Sequence, residues 1–389
     1  MTDPNRPPAG HIVLADVESE SYGSLRRRPT SRAERYRLGR TLRSNVPRSA
    51  LGEWDPPIDR PDPVALIIQS HEGRLERLVP LRVGRMVASP YGFLRGTAIV
   101  MAEDVARLPA TGITPVICGD AHFGNFGFYA SPERDLVIDL NDFDEAHTGG
   151  WEWDLRRLVA SIWVAGRQNN HSEQTCQAAA MSCVAAYRRE VHSGAEQPLL
   201  SRSFQRLDVE RLLASTDQGS LRAEIDKAAA RARSRTSDRA LPRFTEQHQG
   251  RRRIVEEPPL ITRVSTAESE TIGIALDDYL STLAPHWRRA LGGYTVVDIA
   301  HKVVGVGSVG LRAYVRCWRA AVPTTWCSCS SSRPDDLCWR STSTAAPPGM
   351  HTRVNGWWNT SRRCRRSATR CSGGRVSTDG STTCGSSGT

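Results

Sequence analysis

Residues 317–389 contain one leucine (Leu337) and no isoleucine, phenylalanine or tyrosine. A segment so poor in core-forming side chains cannot supply ordinary apolar faces, so the fold has to be built from the residues that precede it. The same segment carries seven of the ten cysteines and five of the ten tryptophans, with ten Arg, three Asp and neither Lys nor Glu. It therefore supplies +7 of the formal net charge of +10, leaving +3 for the first 316 residues. A basic balance concentrated in one aberrant segment does not mark a nucleic-acid surface, and we expect no nucleic-acid partner.

Three readings of this tail compete. A metal module would need paired knuckles, but Cys327 and Cys329 stand one residue apart and Cys338, Cys364, Cys371 and Cys384 follow irregularly. Disorder suits the Ser and Thr content but not five tryptophans. The third reading is a frameshifted translation. Read from the third base of each codon, Trp326 to Ser331 can encode Val-Leu-Leu-Gln-Phe, a strand-like text. We expect a slip near Arg316 and an out-of-frame, disordered tail over 317–389.

No run of about 18 apolar residues occurs, and the N-terminus lacks a secretory apolar stretch, so no membrane span and a cytoplasmic location are expected. Residues 1–60 read as a loosely packed lead-in rich in Arg and Pro, and 61–290 as a mainly helical lobe. Helical spacing runs over 63–79, 96–108, 151–167, 172–191, 220–235 and 270–284. Ser89-Pro90 marks a turn. Short strands are expected at 114–118, 136–138, 294–304 and 311–315, the last two opening a β lobe over 291–316.

Two polar clusters flank the strand at 136–138. The first is the loop Gly119-Asp120-Ala121-His122-Phe123-Gly124-Asn125; the second is Asp139-Leu140-Asn141-Asp142-Phe143-Asp144-Glu145. Phosphoryl transfer needs a carboxylate for the acceptor hydroxyl and hard oxygens for Mg²⁺, which Asp120 and Asn125 could provide. Four carboxylates in seven residues repel one another unless a cation compensates. Strand alternation lets about two face such a cation: Asp142 first, with Asp139 and Asp144 in reserve. An Asx-rich turn is the plainer reading of the first cluster and a solvated strand end of the second. His122 is expected to brace the loop. Asp154 could bond the loop from a helix start, or simply sit well at a helix N-terminus. Gly305, Gly307 and Gly310 form a G-x-G-x-x-G between two strands, which suits a phosphate-covering hairpin or an ordinary glycine-rich one. Arg85 and Arg95 could reach phosphate or substrate, or serve structure alone.

Gly-Asp-x-His-x-x-Asn, an acidic strand end and a following x-x-Asp-Leu resemble the aminoglycoside phosphotransferase and choline kinase group of protein-kinase-like enzymes. Ser89–Gly96, Cys118–Gly127, Asp139–Ala146, Trp151–Leu158 and Val304–Gly310 together resemble, over roughly residues 60–315, a bacterial family named domain of unknown function 2252. The resemblance implies an α+β, protein-kinase-like fold and Mg·ATP-dependent phosphorylation of a small hydroxylated molecule. It implies Asp120 as base, Asn125 and Asp142 as Mg²⁺ ligands, and the three glycines over nucleotide phosphates. Because the glycine loop follows the catalytic loop, such a fold would be circularly permuted. The family's Gln-x-Lys-Glu-Ala segment is missing, and no Lys follows Lys302. On this reading the chain is impaired. A metal-dependent phosphoesterase and a non-catalytic, pseudokinase-like nucleotide-binding module are the rival expectations.

Overall fold

A computed structural model describes residues 31–131, 135–216, 219–234, 237–320 and 326–329. Arg26–Pro29 and the tail from residue 330 onward lie outside the described residues, and with them most of the segment read as out of frame.

The chain is α+β. Five helices come first: α1 (Arg32–Asn45), α2 (Pro63–Gln69), α3 (Val79–Val87), α4 (Pro90–Gly96) and α5 (Ala98–Ala106). Part of the expected lead-in is therefore helical. Ser31 caps α1 in a reciprocal box with Glu34, although no residue of that helix is buried. The helical spacing over 63–79 does not give one helix. The chain breaks after α2, where Gly73 takes φ +75°, and resumes through a 3-10 turn at Glu76–Leu78. Ser89-Pro90 starts α4 rather than a free turn: Ser89 Oγ accepts from the Gly92 amide at 3.0 Å and Pro90 fills the first helical position.

Next come β1 (Val116–Ile117), β2 (Phe126–Ala130), β3 (Leu136–Leu140) and β4 (His147–Thr148). β2 and β3 form an antiparallel hairpin with Gly127 opposite Asp139, and β1 pairs with β4. Then follow α6 (Trp151–Gln168), α7 (Glu173–Glu196), α8 (Leu199–Ser203), α9 (Val209–Ala214), α10 (Gly219–Arg233) and α11 (Ser237–Phe244). Trp151 fixes the start of α6 by stacking on Tyr187 of α7 at 5.8 Å and donating to Thr111 Oγ1 at 3.0 Å.

The remainder comprises β5 (Thr245–His248), β6 (Arg251–Ile254), β7 (Ile261–Arg263), α12 (Thr266–Thr282), α13 (Pro285–Leu291), β8 (Tyr294–Lys302), β9 (Tyr314–Ala320) and β10 (Trp326–Cys329). β7, β8, β9 and β10 make one antiparallel sheet in that order. Its two faces follow the strand period of two. Ile261, Ala300, Val315 and Cys317 pack on one face with Leu241 and Ile254, while Ile299 and Tyr314 pack against Ile272 and Leu276 of α12 on the other.

Two expected boundaries shift. The sheet already begins at β7, well before residue 291. β9 starts at Tyr314 rather than 311 and continues past 316, with Cys317 1% exposed and Trp318 paired to Val296. A third cluster, Leu78, Val303 and Val309, binds the turn between β8 and β9 to the segment leading into α3.

Candidate active site

One face of α6 organises the loop after β1. Asp154, Arg157 and Ser161 lie three and four residues apart and so share a face. Asp154 accepts from the amides of Cys118 (2.6 Å) and Gly119 (2.9 Å). Arg157, 3% exposed, donates from Nε to Asp120 Oδ1 at 2.6 Å and from a terminal nitrogen to the Leu94 carbonyl at 2.6 Å. Ser161 Oγ accepts from the Phe123 amide at 2.8 Å. From the other side, Tyr91 Oη accepts from the Gly124 amide at 2.8 Å, and its ring meets His122 edge-on. Asn125 donates its side-chain Nδ2 to the Asp120 carbonyl at 2.7 Å, a bond that does not engage its Oδ1. The loop is thus a pinned turn, and Asp120 presents Oδ2 on its unclamped side, 3.9 Å from His122 Nε2. Burial depresses the His122 imidazole to about 4, so it is neutral at physiological pH and acts as a brace.

The acidic segment meets this loop directly. Asn141 N–H donates to the Asn125 carbonyl at 2.8 Å, and Cys118 Sγ donates to the Asp142 carbonyl at 3.1 Å. Gly119 (φ +82°) lies against the Glu145 backbone, where any Cβ would overlap the carbonyl oxygen. Asp142 Oδ1 accepts from the Asp144 amide at 3.2 Å. Burial raises the Asp142 carboxyl; the Asp120 charge pushes the same way and Arg95 opposes both. Asp144 is exposed at its surface, yet the protein packed around it pushes its carboxyl up to about 8, with Asp142 and then Glu145 adding to the rise. Asp120, Asp142, Asp144 and Glu145 therefore share one electrostatic neighbourhood. Asp139 does not join it: it sits exposed on the hairpin, accepting from Tyr129 Oη at 3.3 Å and its neighbour's amide at 2.8 Å.

Among the described residues no group of three or more His, Cys, Asp and Glu is placed to hold a metal ion. The set that remains is two crowded carboxylates, Asp142 and Asp144, with the Asn125 amide oxygen. All are hard oxygens, few enough to suit Mg²⁺, which keeps several waters and takes further ligands from phosphates.

The crowding has a sign. Unfolded, Asp144 titrates near its ordinary 3.8; folded, near 8. Between those values the folded chain holds a proton that the unfolded chain has lost, so stability falls as pH rises through the window. Urea midpoints should decline toward pH 8 in the absence of divalent cations, flatten in Asp144→Asn, and recover on adding Mg²⁺. A profile that rises with pH in the wild type would contradict this arrangement.

The glycine turn is held by arginines. Gly305 (φ +63°) and Gly310 (φ +89°) use conformations that other residues avoid. Arg85 donates to the Gly305 carbonyl at 2.6 Å, and Arg74 donates to the Gly307 and Val309 carbonyls at 2.7 and 2.6 Å. With these carbonyls held by arginines, the amides of residues 304–308 donate to no described residue. Gly307 abuts the Arg95 carbonyl, one residue from the Leu94 carbonyl that Arg157 grips. Burial lowers the Arg74 guanidinium first, Arg82 adds to this, and the charge of Glu145 opposes both, so the acidic segment lies within electrostatic reach of the turn's arginine. Lys302 instead lies 5.0 Å over the Phe244 ring.

Arg74, Tyr91, Arg157 and Ser161 were not singled out in the sequence. The spacing 154, 157, 161 on a helix could have found the last two; nothing local points to Arg74 or Tyr91.

Among the described residues no helix is long and apolar enough to cross a membrane. No curated protein and no solved structure matches the chain. Residues 74–322 match the family described as "Uncharacterized protein conserved in bacteria (DUF2252)", a span that covers well over half of the chain and every side chain of the cleft. The chain belongs to the DUF2252 family.

Proposed function

We propose that this cleft is a phosphotransferase site of permuted, protein-kinase-like design, acting with Mg·ATP on a small hydroxylated molecule. The observation that carries the reading is the meeting of the Asp120 loop with the acidic segment, where the crowded carboxylates Asp142 and Asp144 call for a cation. The arginine-clamped glycine turn, whose amides donate to no described residue, supplies donors for phosphate oxygens. Mg·ATP would supply the electrophilic γ-phosphorus and the charge that relieves the two carboxylates. Asn125 Oδ1 and Asp142 would hold the metal, with Asp144 beside them. The amides of the turn at Gly305 and Gly307 would receive phosphate oxygens. Asp120 Oδ2 would orient the acceptor hydroxyl and take its proton as the acceptor oxygen bonds phosphorus and the bond to the departing diphosphate breaks. Arg157 keeps that carboxylate aligned, and Asp154 keeps the loop in place.

We further propose that the C-terminal reading frame slips, after β9 rather than at Arg316. Residues 317–319 pair with β8 in ordinary alternation, whereas core composition fails beyond the family match. β10 occupies the stretch where the alternative frame also writes a strand. The absence of any lysine beyond Lys302 favours a second reading for this chain as it stands: it binds nucleotide without transferring phosphate.

Titration of ATP with and without Mg²⁺ on the given and frame-repaired chains, followed by a phosphate-transfer assay over a panel of hydroxylated small molecules, tests both readings. Mg²⁺-dependent binding is expected in each chain and transfer only in the repaired one. Absence of nucleotide binding in both overturns the proposal, and release of phosphate from monoesters without ATP would make the site a phosphoesterase.

A further inference from the structure

Beside the glycine turn lie two side chains, Arg82 and His71, that the transfer chemistry does not use. Arg82 of α3 is 2% exposed and has one hydrogen-bond partner, the Gly96 carbonyl, reached by a terminal nitrogen at 2.8 Å. Its Nε and other terminal nitrogen are buried without partners, and so is His71 Nε2. Arg74, which pins the turn, carries its charge close to both. Burial lowers the His71 pKa first, and the charges of Arg82 and Arg74 lower it further. Burial alone lowers Arg82, and no carboxylate offsets it among the described residues. A buried guanidinium without a counter-charge costs several kcal/mol, and an adjoining arginine and an imidazole with an unmet ring nitrogen add to that cost. An anion removes it. The neighbouring turn adds unmet amides, donors that match the many oxygens of a phosphate better than the two of a carboxylate.

We propose that Arg82, His71 and Arg74 form an internal oxyanion site beside the glycine turn, built for a phosphate-class anion. The site is separate from the carboxylate cluster and does not require transfer to occur. Its ligand is either free inorganic phosphate or a phosphate of a bound nucleotide.

Thermal unfolding of the full chain, without Mg²⁺, against rising inorganic phosphate and against sodium chloride at equal ionic strength tests the site. A saturable, phosphate-specific rise is expected. Its half-saturation should weaken by roughly tenfold in Arg82→Met and in His71→Phe, the equivalent of one charged hydrogen bond. Asp139→Asn, exposed on the hairpin and outside the carboxylate cluster, should leave the phosphate response intact. A rise seen with ATP but not with inorganic phosphate, and lost in the same variants, identifies the nucleotide as the source. Equal responses to phosphate, ATP and chloride overturn the site, as does wild-type half-saturation in the variants. Should Arg82→Met fail to fold, the half-buried His71 decides alone.

Discussion

Asp120→Asn in the frame-repaired chain is expected to lower phosphate transfer by about 10²–10⁴-fold, the usual worth of a positioned general base, while Mg·ATP binding persists. Asparagine keeps an oxygen for Arg157 Nε, now at 2.6 Å from Asp120 Oδ1, but has nothing on the other arm that can accept a proton. Alanine is the poorer test. It would strand Arg157, 3% exposed, without its counter-charge, and breaking a buried pair costs about 3–5 kcal/mol. A fall in turnover would then mix chemistry with unfolding. Measuring transfer beside urea midpoints separates the two: the asparagine variant should lose activity at nearly wild-type stability, and the alanine variant should lose both. Retained transfer in Asp120→Asn would remove Asp120 from the chemistry.

What the sequence made legible is what short-range rules decide. The Gly-Asp loop and the acidic segment flank a strand, and a five-residue hairpin returns the chain so that both arrive at one cleft. Alternation along that hairpin also explains why Asp139 turns away, toward Tyr129, while Asp142, beyond the strand end, turns in. The face of α6 was half legible. Asp154 was read, whereas Arg157 was not singled out, since nothing in an Arg-Arg pair on a helix says which arginine turns inward. The arginine clamp on the glycine turn was not legible at all. Arg74 meets Gly307 and Val309 across more than two hundred residues, and that meeting depends on Leu78, Val303 and Val309 coalescing into a core. Arg85 was read, with a structural role as one alternative; its bond to Gly305 gives it that role at the very turn where a phosphate role was also considered. Spacing alone extended the helix through 63–79, since apolar residues keep the period across a break that Gly73 and the 3-10 turn impose.

Gly119→Ala should damage this site more than any other change outside its charged groups. Gly119 holds φ +82°, and a Cβ there would run into the Glu145 carbonyl and its carbon. The left-handed backbone alone makes alanine unfavourable by about 1 kcal/mol or more. The overlap adds to this because the obstacle is main chain, which has no rotamer to change. The turn or the acidic segment must then withdraw. The Cys118 and Gly119 amides that Asp154 holds at 2.6 and 2.9 Å, and the Cys118 contact with the Asp142 carbonyl, would loosen together. The expected result is a lower urea midpoint and a weaker, less pH-sensitive response to Mg²⁺, as Asp142 and Asp144 move away from Asn125. Gly84 provides the control. It lies in α3 with nothing near its missing Cβ, and Gly84→Ala should leave stability unchanged or raise it by about 0.5–1 kcal/mol through helix propensity. Equal, small effects at the two glycines would show that the loop and the acidic segment are not pressed together, and the proposed cation site would lose its support.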